Sequence, residues 1–488
     1  MQTSPHVALR FVTALIVATA LCSPHSPGRV TAAGKPCGQP NNPCPPPPSP
    51  PPGPPVLYQF NGAAAGDALG SAVAFADVTG DNGIPDGILD VIIGADNANG
   101  GKGSVTIFDG RDFKSLVRQI DGKAGDFFGA RIAVGDVNGD GTPDLVVGAW
   151  GVDVAGAVDA GAVRVYKGAT GELLYEFTGT GSGDFFGSAV AVGDLTGDGK
   201  ADILVGAWGA DLGGGANANR GYVRLYNGAD GALIAQFNGD NNQDEMGRGV
   251  AFGDVNGDGT LDILLGAGSS THGTIPHFGG YVRVIDGKDF THILYEFDAG
   301  IASTTKPEPN FGYGVASADV NGDGYADIIV AAYRGKLSAS GTTGPAAGYV
   351  RVFSGKTGLL LYQLNGTADR DEFGRSLAVG DLNGDGVPDI IVGAPSTTAA
   401  GYVRVFNGAN GQVLFQVTGS SAADLFGYAV AAAPLVAGAK ATLAVGAYAG
   451  DSGPLRWQRV RAAVRRVPTV IGGVGTHLRH GACRVRPA

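Results

Sequence analysis

The chain has 488 residues, of which 84 are glycine and only 16% are charged, and its formal net charge is −11. So much glycine with so little charge suits many short strands joined by tight turns and argues against long helices. An acidic surface repels phosphate backbones, which argues against nucleic acid as a partner.

Met1 to Ala33 has no acidic residue, a basic Arg10 and an apolar run from Phe11 to Leu21. That run is too short to span a bilayer, so residues 1–33 are expected to be a secretory signal. No other segment is long enough to cross a membrane, and the expected location is secreted or cell-surface. Residues 34–55 are dominated by proline and are expected to form a stiff polyproline linker. Two of the four cysteines, Cys37 and Cys44, lie in this linker; they either close a small disulfide loop after export or stay free.

Residues 56–455 are a repeat array. The loop Asp136–Asp144 recurs as Asp194–Asp202, Asp254–Asp262, Asp319–Asp327 and Asp381–Asp389, and a stretched copy begins at Asp77. Successive first aspartates are between 58 and 65 residues apart, one supersecondary unit per repeat. In the second copy Phe128-Gly129 opens the unit. Ala130–Val134 is expected as strand A, Leu145–Ala149 as strand B, Gly161–Tyr166 as strand C and Leu173–Phe177 as strand D. Four short antiparallel strands per unit make a propeller blade.

Seven openings occur, from Leu69-Gly70 to Phe426-Gly427, so the fold expected is an all-β, seven-bladed propeller of four-stranded antiparallel blades. The seventh unit keeps strands A and B and a remnant of C at Gly453–Arg456. The N-terminal Leu57–Gly62 is a strand D with no blade before it, and is expected to complete the last blade and close the ring, leaving no exposed sheet edge. Residues 456–488 carry eight arginines and no acid and are expected to be a disordered basic tail.

A hard divalent cation wants six to eight oxygens on a tightly curved backbone. The loop supplies side chains at its positions 1, 3, 5 and 9 and a carbonyl at position 7, with glycine at position 6 for the turn. The expected ligands are Asp136, Asn138, Asp140, Thr142 and Asp144 in the second repeat and Asp194, Thr196, Asp198, Lys200 and Asp202 in the third. The fourth offers Asp254, Asn256, Asp258, Thr260 and Asp262, and the fifth Asp319, Asn321, Asp323, Tyr325 and Asp327. The sixth offers Asp381, Asn383, Asp385, Val387 and Asp389. In the first repeat Asp77, Thr79 and Asp81 are present, but extra residues leave Asp86 and Asp90 as rival ninth ligands. The seventh has no acid in this loop and is expected to be metal-free. About five Ca²⁺ sites are expected, with a sixth left open in the first repeat, in the weak range of extracellular modules, about 10⁻⁴–10⁻³ M.

Phe128-Gly129, Asp136–Asp144 and Gly148-Ala149, recurring with Gly393-Ala394-Pro395, resemble the FG-GAP repeat of integrin α-subunit propellers over roughly Val56 to Gly450. The resemblance implies seven blades, calcium in the A–B loops, and adhesion or ligand binding on the opposite face. The blade plan agrees, because A–B and C–D turns share one face while B–C loops and blade-to-blade links share the other. Trp150, Trp208, Tyr333 and Tyr448 follow Gly-Ala or its counterpart at equivalent positions. In integrins, aromatics around the channel mouth hold a basic residue, and a cation over such rings is favourable. These four residues are therefore candidate ligand contacts, or else packing of the channel wall, and Asp96, Gly268 and Pro395 interrupt their ring. Arg164, Arg224, Arg283, Arg351 and Arg404 recur in strand C and are expected to pair with acids on a neighbouring strand.

Enzyme signals are weak. His272 and His277 share one loop, Gly450–Pro454 resembles a protease nucleophile motif by chance, and Gly355-Lys356-Thr357 lacks the upstream glycine of a phosphate loop. No catalytic residue is proposed. The expected function is an adhesion or ligand-binding module for an extracellular protein or glycan, with no membrane span. The alternatives are a propeller enzyme with its site at the channel mouth and a purely structural envelope protein.

Overall fold

The computed structural model of the protein describes residues 56–448 except 63, 65, 79–84, 214, 216–217, 269–270, 273–276, 300–309, 337–345 and 437, together with 461–466. The expected signal, linker and Gly453–Arg456 strand remnant lie outside these residues, as do Thr79 and Asp81.

The chain is an all-β propeller of four-stranded antiparallel blades. In the second blade, strands A to D are Phe128–Gly135, Asp144–Ala149, Ala162–Tyr166 and Leu173–Thr178. Strand B is buried along its whole length. That is why it reads as a continuous apolar run and not as an alternation. Strand D, at the outer edge, returns to partial exposure, with Leu173 48% exposed. Strand A lies nearest the axis and carries a bulge just after its opening pair, where the register slips between Phe128 and Arg131.

Six blades, and not the seven expected, are built in full from consecutive strands. The remaining sheet is composite, in the order Val56–Asn61, Arg461–Arg466, Ala441–Ala447, Phe426–Pro434. Its outer strand is the N-terminal one, as the sequence suggested. Its third strand, however, is Arg461–Arg466, drawn from the tail expected to be disordered. Sheet ladders are made by backbone groups, so a segment without the repeat signature can fill the position that strand C occupies elsewhere.

Neighbouring blades meet through their phenylalanines and glycines. Phe128, Phe186, Phe311 and Phe373 are fully buried. Phe128 shares one cluster with Val105 and Ile107 of the preceding blade and with Val147 of its own, so these rings plug the seams. The glycine contacts run around the axis, and Gly446 of the composite sheet returns to Gly70 of the first blade. On the A–B face, the amide of Leu89 donates to the carbonyl of Leu435 at 2.9 Å, joining the same two sheets.

A recurrent aspartate two residues before the opening pair escaped the sequence reading. Asp184 accepts from the amides of Thr180 and Gly181 and from the hydroxyl of Tyr222 in strand C of its own blade's neighbour. Asp244 and Asp371 do the same with Tyr281 and Tyr402. These carboxylates fix the blade-to-blade links, whose backbone would otherwise lack partners.

Candidate functional site

The A–B hairpins bring their acids into a common local pattern. In the second blade the first aspartate turns inward: Asp136 accepts from the amides of Gly139, Asp140 and Gly141 at 2.7–3.1 Å. The ninth residue, Asp144, is fully buried and accepts from Val137, Asn138 and Gly168. Burial pushes the carboxyl of Asp144 up to about 6, and those of Asp327 and Asp389 likewise; Asp202 and Asp262 are raised by the same cause. The third residue bridges the two ends. Asn321 donates to Asp327, and its own oxygen accepts from the amide of Asp323; Asn256 and Asn383 repeat this.

In the first blade Asp90, not Asp86, takes the place of Asp144. It accepts from Val78 and Gly110, the counterparts of Val137 and Gly168. Asp86 instead faces Arg111 at 3.5 Å, and its amide donates to Asp77.

Among the described residues, no three acidic, histidine or cysteine side chains already stand close enough together to grip a metal. The donor set nonetheless fits a hard divalent cation: every offered ligand in the loops is oxygen, and the buried ninth carboxylate has no cationic partner among its hydrogen bonds. When bound, such an ion would supply the missing positive charge, held by the residues at positions 1, 3, 5 and 9. The loops are not equivalent. In the fourth, Lys288 Nζ lies 2.9 Å from Asp258 Oδ2, and in the sixth, Asn407 donates to Asp385.

The opposite face holds the candidate aromatics, and most of their surfaces are already engaged by this chain. Trp150 is stacked on Phe127 at 4.3 Å and meets Phe185 edge-on at 5.8 Å. Trp208 lies between Phe185, at 4.9 Å, and the guanidinium of Arg248, at 3.4 Å from its ring centroid. Tyr333 packs on Tyr313, and Tyr448 stacks on Tyr428, both at 4.4 Å. The ring is therefore a set of pairs, each made by a residue after Gly-Ala or its counterpart and one beside the opening of the same blade. His272 and His277 face each other as backbone partners in a two-stranded ribbon on the same side.

The sequence reading missed the arginines at this mouth. Arg248 and Arg375 directly follow an opening glycine, and Arg131 follows by one more residue. In the second and fourth blades a bulge falls at that point, where it re-aims the side chain. The available signal was a long cation at a position otherwise held by serine, alanine or tyrosine. By contrast, the strand C arginines are structural. Arg164 pairs with Asp126 and Glu176, and Arg283 with Asp240 and Glu296, at 2.7–2.8 Å. Arg224, Arg351 and Arg404 bond glutamines instead of the expected acids.

These features define a class: a β-propeller whose A–B hairpins carry one repeated acidic loop, and whose blades lock through an opening Phe-Gly and a closing Gly-Ala. The chain carries FG-GAP repeats, and its propeller is similar to that of integrin α subunits. The FG-GAP repeat matches at residues 128–166, 186–226, 246–285, 311–353 and 373–406. Among curated relatives, chicken (Gallus gallus) integrin alpha-V is 32% identical over 219 residues, 42% of this chain and 20% of that protein. Integrin alpha-5 of Xenopus laevis is 30% identical over 224 residues, 43% and 20% of the two chains. Phosphatidylinositol-glycan-specific phospholipase D of Bos taurus is 31% identical over 165 residues, 32% and 19% of the two. The matched part thus spans about a fifth of each of these relatives. Among the described residues, no helix is long and apolar enough to cross a membrane.

Proposed function

We propose that the protein is a secreted or cell-surface, calcium-binding propeller that acts as an adhesion or ligand-binding module. The composite sheet serves as its seventh blade. Calcium occupies the A–B loops, about five of them, and the observation that carries this is the recurrence of a buried, cation-free ninth aspartate beneath an all-oxygen loop. Bound ions stiffen that face and leave the B–C face to a protein or glycan ligand around Trp150, Trp208, Tyr333 and Tyr448. The likeness to integrin α subunits favours this reading over a purely structural one.

A glycan and matrix-protein binding screen, run with calcium and with EDTA, tests it. Saturable binding that EDTA abolishes is the expected outcome. A fully folded protein that binds nothing in either condition would exclude the module. A propeller enzyme is the second reading, drawn from the likeness to a phospholipase D. Phosphodiester turnover lost on His272→Ala or His277→Ala would favour it.

A further inference from the structure

A cavity of about 250 Å³ lies on the propeller axis, lined by the A strands of successive blades. Three arginines enter it, Arg131, Arg248 and Arg375, from the second, fourth and sixth blades. Among the described residues that line it, none is acidic. The arrangement reverses the integrin-like expectation of an aromatic cage awaiting a cation, since the cations are already seated in the cage. Arg248 covers Trp208, and Arg375 lies 4.8 Å from the ring centroid of Tyr313 and 4.6 Å from that of Tyr428.

The charges are unequally compensated. Arg248 Nε bonds Glu245 at 2.9 Å. Arg375 has no carboxylate partner among the described residues; its guanidinium donates to the hydroxyls of Tyr313 and Tyr428. Burial and the two neighbouring arginines both disfavour its charged form. Clustered guanidinium groups in a confined, partly dry space are costly unless an anion joins them. The two tyrosine hydroxyls accept from Arg375, which leaves their own protons free to point at such an anion.

We propose that this axial cavity binds a tetrahedral oxyanion, sulfate or phosphate, free or at the end of a larger ligand, held by Arg131, Arg248 and Arg375. Guanidinium groups arriving from three blades suit an anion with three or more acceptor oxygens better than a carboxylate with two. The inference rests on the ligand-binding reading of the B–C face and names the chemistry that its mouth selects.

The test is calorimetric titration of the full chain with inorganic sulfate and inorganic phosphate, against acetate, at constant ionic strength. Saturable binding of either tetrahedral ion, with acetate weaker, is expected. Arg375→Gln and Arg131→Gln should each weaken it roughly tenfold or more, while Arg111→Gln, on the exposed surface, should leave it unchanged. Anion-induced shifts in melting temperature give a second readout: wild type gains stability with sulfate and Arg375→Gln gains less. Phenyl phosphate in the same titration separates the sources, since retained affinity means that a carried group enters and lost affinity means that the free ion is the ligand. Absence of saturable binding, or equal affinity in wild type and both arginine variants, would overturn the proposal. Glycan or protein capture in the earlier screen would then still stand, so the two failures are distinguishable.

Discussion

The carbonyl oxygen of Gly187 lies only 2.2 Å from where a Cβ on Gly148 would stand. Gly148 closes strand B of one blade, and Gly187 opens the next at φ +91°. The two glycines of the repeat are thus two halves of one contact. One must lack a side chain to let a backbone in, and the other must adopt a conformation that L-residues avoid. Five more pairs repeat it, and blade five alone substitutes Ala331, whose methyl meets the Cβ position of Gly374 at 2.9 Å.

Gly148→Ala should therefore destabilise the protein by about 1–3 kcal/mol, because backbone and not a flexible side chain must yield. Gly187→Ala adds a left-handed cost of about 1–2 kcal/mol. Gly183→Ala is the control, since its φ is also positive, at +73°, but nothing lies within 4 Å. Urea unfolding of the three variants decides the matter. Gly148→Ala as stable as wild type, with Gly187→Ala losing no more than Gly183→Ala, would show that the blade contact contributes nothing.

Phe186, fully buried in the seam between the second and third blades, should cost about 3–5 kcal/mol when cut to alanine. Leu173→Ala, at the exposed outer edge, should cost less than about 1 kcal/mol. Thermal unfolding that ranks these two the other way would contradict the plug role.

Most of this was legible because a repeat prints its geometry several times over. Period, strand order, buried phenylalanines and the inward Asp136 and Asp144 all follow from copies in register. What recurs less strictly was missed. Arg131, Arg248 and Arg375 occupy alternate blades, so no period exposes them, and the bulge beside Arg131 and Arg248 is a backbone feature. The third strand of the composite sheet, Arg461–Arg466, was missed because backbone pairing needs no side-chain signature.

Calcium titration by calorimetry should give about five sites, with the fourth loop weaker than its neighbours. There Lys288 holds an oxygen of Asp258 that a bound ion would need. Lys288→Gln should raise affinity at that loop by several-fold, since the competing charge is removed. Two sites or fewer, or an unchanged isotherm in Lys288→Gln, would argue against the assignment of these loops.

Asp96 provides a pH test away from the loops. It stands at the place of Trp150 in the first blade, is 7% exposed, and leaves its Oδ1 without a hydrogen-bond partner. Burial raises its carboxyl from 3.8 to about 6, against the pull of Arg131. A carboxyl whose folded value lies above its unfolded one favours folding when protonated. That contribution is complete below about pH 4 and is lost as pH rises through about 6. Asp96→Asn should accordingly be more stable than wild type at pH 7–8, by at most about 3 kcal/mol, with the gap closing toward pH 4. Melting temperatures of both proteins across that range measure it. A gap that does not change with pH would mean that Asp96 does not titrate in this window.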